Sequence, residues 1–376
     1  MQRWVKSSSL VVMIFLCVAG RGPEARDHSR YRKANGMCRL FGMSTGGPRV
    51  RAAHWLLDAP SSLRAQSHRM PHGAGLGWFS LGGEPVRDRA PLAAFENADF
   101  DLHARNVPSH TFVSHVRDAS VGGLTVHNCH PFVMNDRLFA HNGVVKGLDT
   151  LRTWLTDVER AHVAGETDSE LVFAFVTAEI RRRGDTTEGI IEAVRRIGAE
   201  LPVFAVNLLI AESGRLWALR YPESNELWVL SPDRGGTSGP GDAAADGPVP
   251  AVVIASEPMD DRPGWRPLEP GELLVVDGLA ETSLFPFEPP RHPLRRCDLS
   301  AREAASQQTA VADEPVQGVP VASLRGASPS ATTGAMAGTA AGAAAGAGAQ
   351  AVPVRRPLTP LVLRNAQRKA VRGPSV

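Results

Sequence analysis

The chain has 376 residues, 43% of them hydrophobic, with 41 basic and 39 acidic side chains and a net charge of +2. This length and apolar content suffice for one large or two ordinary globular domains, while the near balance of charge argues against a nucleic-acid-binding protein. The four cysteines, Cys17, Cys38, Cys129 and Cys297, are far apart and match no zinc-binding spacing. A chain this long also needs no disulfide framework. We therefore expect a reduced, cytoplasmic enzyme without a metal or cofactor.

The first 36 residues differ in composition from those that follow. Arg3 and Lys6 precede the apolar run SSSLVVMIFLCVAG, which is short for a transmembrane helix and resembles a signal peptide. Two other interpretations stay open: the leader is a tether to the membrane, or translation starts at Met37 and residues 1–36 are a wrongly assigned extension. Export or membrane attachment is expected only if the leader is translated.

Residues 37–288 are predicted to form one ordered α+β domain. Short apolar runs bounded by Gly, Pro or Asn predict the early strands, and these runs read CRLFGMS, GLGWFSL, HTFVSHV and RLFAHNGVV. Apolar residues at helical spacing then predict three helices, over 148–163, 167–183 and 187–201. Further strand-like runs follow, from VFAVNLLIA to GELLVVDG, interrupted by a flexible surface insertion at 235–247. This order indicates packed sheets with helices on the outside.

Residues 289–376 lose the pattern of an ordered domain. This segment contains the low-complexity run GAMAGTAAGAAAGAGAQ and ends in the basic stretch RRPLTPLVLRNAQRKAVRG. Such a composition cannot bury enough apolar surface to offset the entropy of ordering. We predict a disordered Ala/Gly/Pro-rich tail without a catalytic role.

Cys38, directly after Met37, is the candidate nucleophile. A cysteine attacks as its thiolate and therefore needs a base. If Cys38 is the first residue of the mature chain, its own α-amino group, with a reference pKa of roughly 7.7–8.0, can take the thiol proton and later return it to the leaving amine. An acylated nitrogen is no base, so this mechanism requires removal of Met37 and everything before it. The alternative is a buried core cysteine.

Four downstream motifs supply the groups that such a nucleophile needs. In SHVRDAS, Arg117 follows an apolar strand, where its guanidinium can hold a carboxylate. In AHNGVV, the side-chain amide of Asn142 and the N–H of Gly143 can form an oxyanion hole. In GETDSE, Asp168 begins a helix and can hold an ammonium group, and in NCHPF, His130 can shape the pocket wall rather than shuttle protons.

Structural interpretations compete with these functional ones. Arg117 could be an ion-pair partner, and Asn142 with Gly143 could form a type I′ hairpin turn. Asp168 or Thr167 could cap the predicted helix, and Asp168 could combine the two roles. These alternatives weaken when the motifs are considered as an ordered set with Cys38.

The ordered set, together with MCRLFG and the late ASEPMDDRPGW, resembles the class II glutamine amidotransferase family over about residues 38–278. It is most similar to the small stand-alone members, which include the γ-glutamyl amidohydrolase of ergothioneine biosynthesis. The resemblance implies the αββα four-layer sandwich of N-terminal-nucleophile hydrolases. It also implies an enzyme that acts on glutamine or a γ-glutamyl compound.

The same resemblance implies a role for each candidate residue. The implied roles are nucleophile for Cys38, oxyanion donors for Asn142 and Gly143, α-carboxylate ligand for Arg117 and α-amino ligand for Asp168. Opposite charges on the last two residues also suit the two ends of an amino-acid head group, independently of the family.

The family pattern also implies two further substrate-binding residues, Ser120 and His130, and the chain departs from that pattern at residues 72–78. Ser120 keeps the hydroxyl of the Thr that many relatives have there, and His130 belongs to the His-Pro loop. At residues 72–78 the chain reads HGAGLGW, so that Ala74 and Leu76 replace the acidic and aromatic residues of the usual HGDGWG. This change is expected to alter the substrate pocket but not the nucleophile.

The predicted function is hydrolysis of the γ-amide of glutamine or a γ-glutamyl conjugate by Cys38. If ammonia is the useful product, a separate synthase would accept it. One alternative is an exported acylase of the same fold that acts on a non-glutamyl amide. Another is a catalytically silent glutamine-binding regulator, which would result if the leader stays attached. We favour Met37 as the initiator, and no nucleic-acid or membrane partner is expected unless residues 1–36 are translated.

Overall fold

The computed structural model of the chain describes residues 37–243 and 247–307. The predicted leader at 1–36 and the part of the predicted tail at 308–376 lie outside the described residues. Among the helices that are described, none is both long enough and apolar enough to cross a membrane.

The described residues form fourteen strands and seven helices. The strands are β1 (Arg39–Ser44), β2 (Ala74–Phe79), β3 (Pro85–Ala90), β4 (Thr111–Val116), β5 (Phe132–Met134), β6 (Arg137–Val145), β7 (Pro202–Glu212), β8 (Arg215–Leu219), β9 (Trp228–Leu230), β10 (Val252–Ala255), β11 (Arg266–Pro267), β12 (Leu273–Asp277), β13 (Ala280–Leu284) and β14 (His292–Pro293). The helices are α1 (Leu63–Gln66), α2 (Ala98–Asn106), α3 (Leu148–Thr153), α4 (Asp157–Arg160), α5 (Asp168–Arg183), α6 (Thr186–Glu200) and α7 (Ala301–Ala305). A π-helical turn spans His54–Asp58, and short 3-10 turns span Val126–Asn128, Pro232–Arg234 and Arg296–Asp298.

The first sheet has the strand order β11–β9–β10–β1–β4–β2–β3. Its central strands β1 and β4 are antiparallel, with Arg39 opposite Val116. Because the two strands run in opposite directions, the residue before Arg39 and the residue after Val116 lie side by side at one end of the sheet. The register therefore places Cys38 next to Arg117.

The second sheet has the order β13–β12–β8–β7–β6–β5, and β14 pairs with β7 in parallel. Asn142 on β6 is opposite Asn207 on β7, and the register shifts between Val144 and Val145. Beyond this irregularity, the N–H of Val145 donates to the Asp168 carboxylate at 3.0 Å. The end of β6 is thus fixed to the first turn of α5.

Three apolar layers hold the sheets and helices together. The layer between the sheets is formed by fully buried side chains, among them Leu40, Val113, Leu138, Leu209 and Ile254. A second layer packs α5 and α6 on the outer face of the β6–β7 sheet, and a third packs α1, α2 and the π-helical turn on the outer face of the β1–β4 sheet. Burial of each such aliphatic side chain contributes about 1.5–3 kcal/mol. The predicted αββα four-layer sandwich is confirmed.

Helix α5 shows how local sequence fixes the position of Asp168. Thr167 is the N-cap, and its hydroxyl accepts a hydrogen bond from the N–H of Glu170 at 3.3 Å. Gly184, at φ 71°, ends the helix in the left-handed conformation. Because Thr167 takes the capping role, Asp168 is the first helical residue, and its carboxylate lies at the end of the helix dipole that favours negative charge.

The helix predicted over 148–163 is wrong as a single element. Helix α3 ends at Thr153 and α4 begins at Asp157. Between them, the hydroxyl of Thr156 accepts from the N–H of Glu159, and the N–H of Thr156 donates to the Glu159 carboxylate. This capping box starts a new helix and overrides the apolar periodicity of the segment.

The insertion predicted at 235–247 is fixed to the domain over its described part. Asp242 is buried, and its two carboxylate oxygens accept hydrogen bonds from the N–H groups of Ala53 and His54, both at 3.0 Å. The prediction of a flexible surface insertion is therefore corrected for residues 235–243.

The predicted start of the tail at 289 is also corrected. Residues 292–305 include β14, a 3-10 turn and α7. Leu299 packs with Val144 and Phe204, and the side chain of Asn225 donates to that of Gln307 at 2.8 Å. These few contacts are widely spaced in the sequence, so a composition averaged over the segment does not reveal them.

Candidate active site

The predicted site residues lie in one cleft, where the start of β1, the end of β4, β6 and the start of α5 meet. The predicted residues that line it are Cys38, Arg117, Ser120, His130, Asn142, Gly143 and Asp168. They come from both sheets and from a helix, so the stacking of the sheets brings together side chains that are distant in the sequence.

Cys38 directly precedes β1, and its sulfur contacts the main chain of Asp118. The N–H of Asp118 donates to Sγ at 3.2 Å, and Sγ lies 3.4 Å from the carbonyl oxygen of the same residue. Asp118 follows the end of β4, so the register of β1 and β4 creates this contact. The sulfur therefore has a fixed position at the base of the cleft.

Burial raises the pKa of the Cys38 thiol to about 11. The N–H of Asp118 lowers this pKa, its carboxylate raises it, and the guanidinium groups of Arg117 and Arg39 lower it by smaller amounts. With its main-chain nitrogen bonded to Met37, Cys38 is therefore a protonated thiol at neutral pH. A base is required before it can act as a nucleophile.

Asn142 and Gly143 face Cys38 from the other sheet. The Nδ2 atom of Asn142 donates to the main-chain oxygen of Cys38 at 2.9 Å, while its Oδ1 atom is buried without a hydrogen-bond partner among the described residues. Gly143 must be a glycine, since a Cβ atom there would lie 1.9 Å from the carbonyl oxygen of Ala205. Both residues lie inside β6, so the type I′ turn is excluded.

Arg117 is buried beside Cys38, and its guanidinium holds the loop that follows β4. Its Nη2 donates to the carbonyl oxygen of Val121 at 2.6 Å and its Nη1 to that of Gly123 at 3.3 Å. Within the described ranges these partners are carbonyl groups, and no ion pair of Arg117 is found. Because a guanidinium has five N–H donors, further donors remain for an anion in the cleft.

Asp168 is buried at the start of α5 with its carboxylate beside the end of β6. Its Oδ2 accepts from the N–H of Val145 at 3.0 Å and its Oδ1 from the N–H of Ser169 at 2.8 Å. A carboxylate can accept about four hydrogen bonds, so a further donor can be accommodated. The carboxylate of Asp168 and the guanidinium of Arg117 line the same cleft with opposite charges.

Three buried histidines form the wall of the cleft, and only His130 was predicted to lie there. Burial is the main cause that lowers the pKa of His115 to about 3 and lowers the pKa values of His130 and His141. The rings of His115 and His130 lie 4.2 Å apart. In the described part of the chain no group of three or more His, Cys, Asp or Glu side chains is arranged to hold a metal ion. The buried imidazoles are therefore neutral at pH 7. Neither ring nitrogen of His115 or His130 has a hydrogen-bond partner among the described residues, whereas Nδ1 of His141 lies 2.9 Å from the hydroxyl oxygen of Ser169.

The departure at residues 72–78 lies outside the cleft wall. Ala74 and Leu76 are buried in the layer between the first sheet and its helices. Gly75, on the opposite face of β2, is the residue near the cleft, since a Cβ atom there would lie 2.1 Å from the carbonyl oxygen of His130. The replacements at 74 and 76 thus change the outer core, and the glycine permits close approach of the His-Pro loop.

Other residues of the cleft were missed by the sequence analysis. Asp118 lies next to the predicted Arg117, and its carboxylate contacts Nδ1 of His72 at 2.8 Å. Gln307 also lines the cleft, pairing with Met37 through an antiparallel bridge. Asp118 could have been found from its position in SHVRDAS, whereas no local signal marks Gln307.

Comparisons with known proteins agree on one family. The family model described as "Glutamine amidotransferases class-II" matches residues 37–233. The gamma-glutamyl-hercynylcysteine sulfoxide hydrolase of Mycobacterium tuberculosis H37Rv is 32% identical over 270 residues, which cover 68% of this chain and 100% of that protein. A putative glutamine amidotransferase of Escherichia coli K12 is 27% identical, over 63% of this chain and 96% of that protein. A solved class-II glutamine aminotransferase domain protein from Silicibacter pomeroyi superposes with a TM-score of 0.47 at 20% identity, over 67% of this chain and 100% of that one.

Proposed function

The chain belongs to the class II glutamine amidotransferase family, and from this premise we propose that it hydrolyses γ-glutamyl amides with Cys38, freed as the N-terminal residue, as its nucleophile. The proposal rests on one observation: the cleft that holds Cys38 is also lined by Asn142 and Gly143, which can donate hydrogen bonds, and by two opposite charges that suit an amino-acid head group. A hydrolase relative that is aligned over its whole length favours hydrolysis over ammonia supply as the purpose.

The first proposed step is activation of the thiol. Removal of Met37 frees the α-amino group of Cys38, whose reference pKa of roughly 7.7–8.0 leaves part of it neutral near pH 7. This amine takes the proton from Sγ, which burial otherwise keeps on the sulfur. The thiolate then attacks the γ-carbonyl carbon of the substrate.

The oxyanion of the tetrahedral intermediate would be held by Asn142 and Gly143. The Nδ2 atom of Asn142 has two hydrogens, and the bond to the Cys38 oxygen uses one of them. That bond orients the amide, so that the second hydrogen and the N–H of Gly143 can meet the oxyanion. Donors fixed before the reaction stabilise the developing charge without reorganisation.

Collapse of the intermediate would complete the first half of the reaction. The α-ammonium group returns its proton to the leaving nitrogen, the C–N bond breaks, and a γ-glutamyl thioester remains on Cys38. A water molecule, activated by the same amine, then hydrolyses the thioester to glutamate and the free thiol. Arg117 and Asp168 would hold the α-carboxylate and the α-amino group of the glutamyl part through both steps.

The test compares two forms of the chain, one translated from Met1 and one from Met37, each with its N-terminus identified by intact mass. Glutamine and a γ-glutamyl amino acid are the substrates, and glutamate release is the readout. Turnover is expected only in material that begins at Cys38. Cys38→Ser should remove it, and Cys297→Ser, a change at an exposed cysteine, should leave it intact.

The other outcomes point to other functions. Glutamine binding without turnover by the form that begins at Cys38 would refute the enzyme and favour a glutamine-binding regulator. A native N-terminus near residue 20 would indicate export and remove the α-amino mechanism. Cleavage of a non-glutamyl amide but not of glutamine would favour an acylase.

A further inference from the structure

Arg39, the residue after the proposed nucleophile, is a buried cation with incomplete hydrogen bonding. Only 3% of it is exposed. Its Nη2 atom lies 2.7 Å from the carboxylate of Glu257, and its Nη1 atom donates to the main-chain oxygen of Met37 at 2.9 Å. Its Nε atom has no hydrogen-bond partner among the described residues. Glu257 thus neutralises the Nη2 side of the guanidinium, while Met37 is the one acceptor of Nη1 among the described residues.

Removal of Met37 leaves Nη1 without an acceptor among the described residues. This step rests on the proposed function, in which Met37 must be absent for Cys38 to act. Nη1 then loses its carbonyl partner, and Nε already lacks one. Buried donors of a charged group are costly to leave unpaired. A water molecule or a part of the substrate must therefore supply oxygen atoms at this point.

The carbonyl oxygen that is lost with Met37 lies near the place of the substrate's leaving group. The carbonyl carbon of Met37 is bonded to the nitrogen of Cys38, and that nitrogen would return its proton to the leaving nitrogen of the substrate. A proton donor must lie within about 3 Å of its acceptor. The space that Met37 occupies therefore adjoins the leaving nitrogen, on the side of Arg39.

Gln307 borders the same space. It pairs with Met37 across an antiparallel bridge and lines the cleft with Cys38. Its side-chain oxygen accepts a hydrogen bond from Nδ2 of Asn225 at 2.8 Å, which fixes the direction of the amide. Met37 thus lies where an extended, peptide-like group is held between Arg39 and Gln307.

We propose that Arg39 binds the carboxylate or peptide carbonyl of the leaving amino acid, so that the enzyme prefers γ-glutamyl amino acids and peptides to glutamine. In such a substrate the carbonyl carbon is two bonds from the leaving nitrogen, which puts its oxygen within reach of the Nη1 donor that loses the Met37 oxygen. Glutamine releases ammonia and offers no such oxygen. Arg39 is thereby a specificity residue for the leaving group, whereas Arg117 and Asp168 serve the glutamyl part.

Three substrates of similar size test the proposal with the enzyme that begins at Cys38 and extends to residue 376. They are γ-glutamylmethionine, which has a carboxylate on the leaving group, its methionine amide, which keeps only a carbonyl, and γ-glutamyl-3-(methylthio)propylamine, which has neither. For the wild type, kcat/KM should fall in that order, by about ten- to a hundredfold from first to last. Equal values for the three would overturn the proposal without any variant.

Variants separate a specificity role from a structural one. Arg39→Gln should remove the preference while keeping turnover of the propylamine, and Arg39→Lys should keep part of the preference for the carboxylate. The matched control is Arg69→Gln, since Arg69 contacts the other oxygen of Glu257 at 3.4 Å. The control should keep the full preference. A proportional loss on all three substrates in Arg39→Gln would identify Arg39 as structural only.

The result also distinguishes this inference from the proposed function. If the wild type turns over neither glutamine nor any of the three substrates, the proposed function fails. If it turns over all of them at similar rates, the proposed function stands and the role of Arg39 fails.

Discussion

The side chain of Asn142 donates to the main-chain oxygen of Cys38 at 2.9 Å, and this bond joins the two sheets at the candidate nucleophile. Asn142 lies on β6 of one sheet, and Cys38 precedes β1 of the other. The candidate oxyanion donor and the candidate nucleophile are thus held by two elements of a packed core rather than by mobile loops. Such support is what precise placement of catalytic groups requires.

Asn142→Asp should lower kcat for glutamine by about a hundred- to a thousandfold with little change in KM, because it removes the donor to the oxyanion while keeping the shape of the side chain. Steady-state kinetics on the enzyme that begins at Cys38 provides the measurement. Asn135→Asp, at an exposed turn, is the matched control. A large rise in KM with unchanged kcat would instead assign Asn142 to ground-state binding.

The thiol of Cys38 should be unreactive at neutral pH in the chain that keeps Met37. Burial raises its pKa to about 11, so the thiolate fraction, and with it the rate of alkylation by iodoacetamide, should rise about tenfold per pH unit above pH 8. Peptide mass spectrometry measures the rate at Cys38, with the exposed Cys297 as internal reference. A rate that levels off below about pH 9 would contradict the effect of burial.

Asp168→Asn should impair substrates that carry an α-amino group. Kinetics with glutamine and with glutaramate, which lacks that group, separate the effects. We expect kcat/KM for glutamine to fall by about ten- to a hundredfold, and glutaramate to be much less affected. An equal loss on both substrates would mean that Asp168 acts through Val145, whose N–H it accepts at 3.0 Å.

The sequence was sufficient to predict which residues meet in the cleft, because each lies in or beside a strand or helix with a strong local signal. Arg117 follows β4, and Asn142 lies in β6, whose bounds coincide with the predicted run RLFAHNGVV. Long helices with clear caps, such as α5, were predicted for the same reason. Local signals of this kind require no knowledge of distant contacts.

The parts that were missed depend on long-range contacts or have weak apolar patterns. Strand β3, which includes Arg87 and Arg89, is a polar edge strand, and α2 buries only Phe100 and Ala104. Gln307 reaches the cleft through a bridge to a residue at the other end of the described chain. Nothing in the sequence around such residues specifies the partner, so periodicity and composition cannot reveal them.

Acid should destabilise the fold through the buried histidines. Burial lowers the pKa of His115 to about 3, against about 6.5 in an unfolded chain. Below about pH 6.5 His115 binds a proton in the unfolded chain but stays neutral in the folded chain. The free energy of unfolding therefore falls as the pH falls towards 3. One such group contributes a slope of about 1.4 kcal/mol per pH unit, and the lowered pKa values of His130 and His141 act in the same direction.

Urea unfolding at several pH values between about 4 and 7 measures this slope. His115→Phe replaces the ring with one that does not titrate, so the slope should decrease by about one proton. A slope that equals that of the wild type would show that His115 takes up no proton on unfolding.

Leu299→Ala tests whether the ordered domain extends past residue 288. Leu299 packs with Val144 and Phe204, next to the candidate oxyanion donor Gly143. Because the leucine is almost fully buried, its truncation should lower the free energy of unfolding by about 2 kcal/mol, as measured in urea. Leu102→Ala, at a side chain that is 55% exposed on α2, should change it by about 0.5 kcal/mol or less. If the two variants unfold alike, the packing of Leu299 on Val144 and Phe204 adds nothing to the stability of the domain.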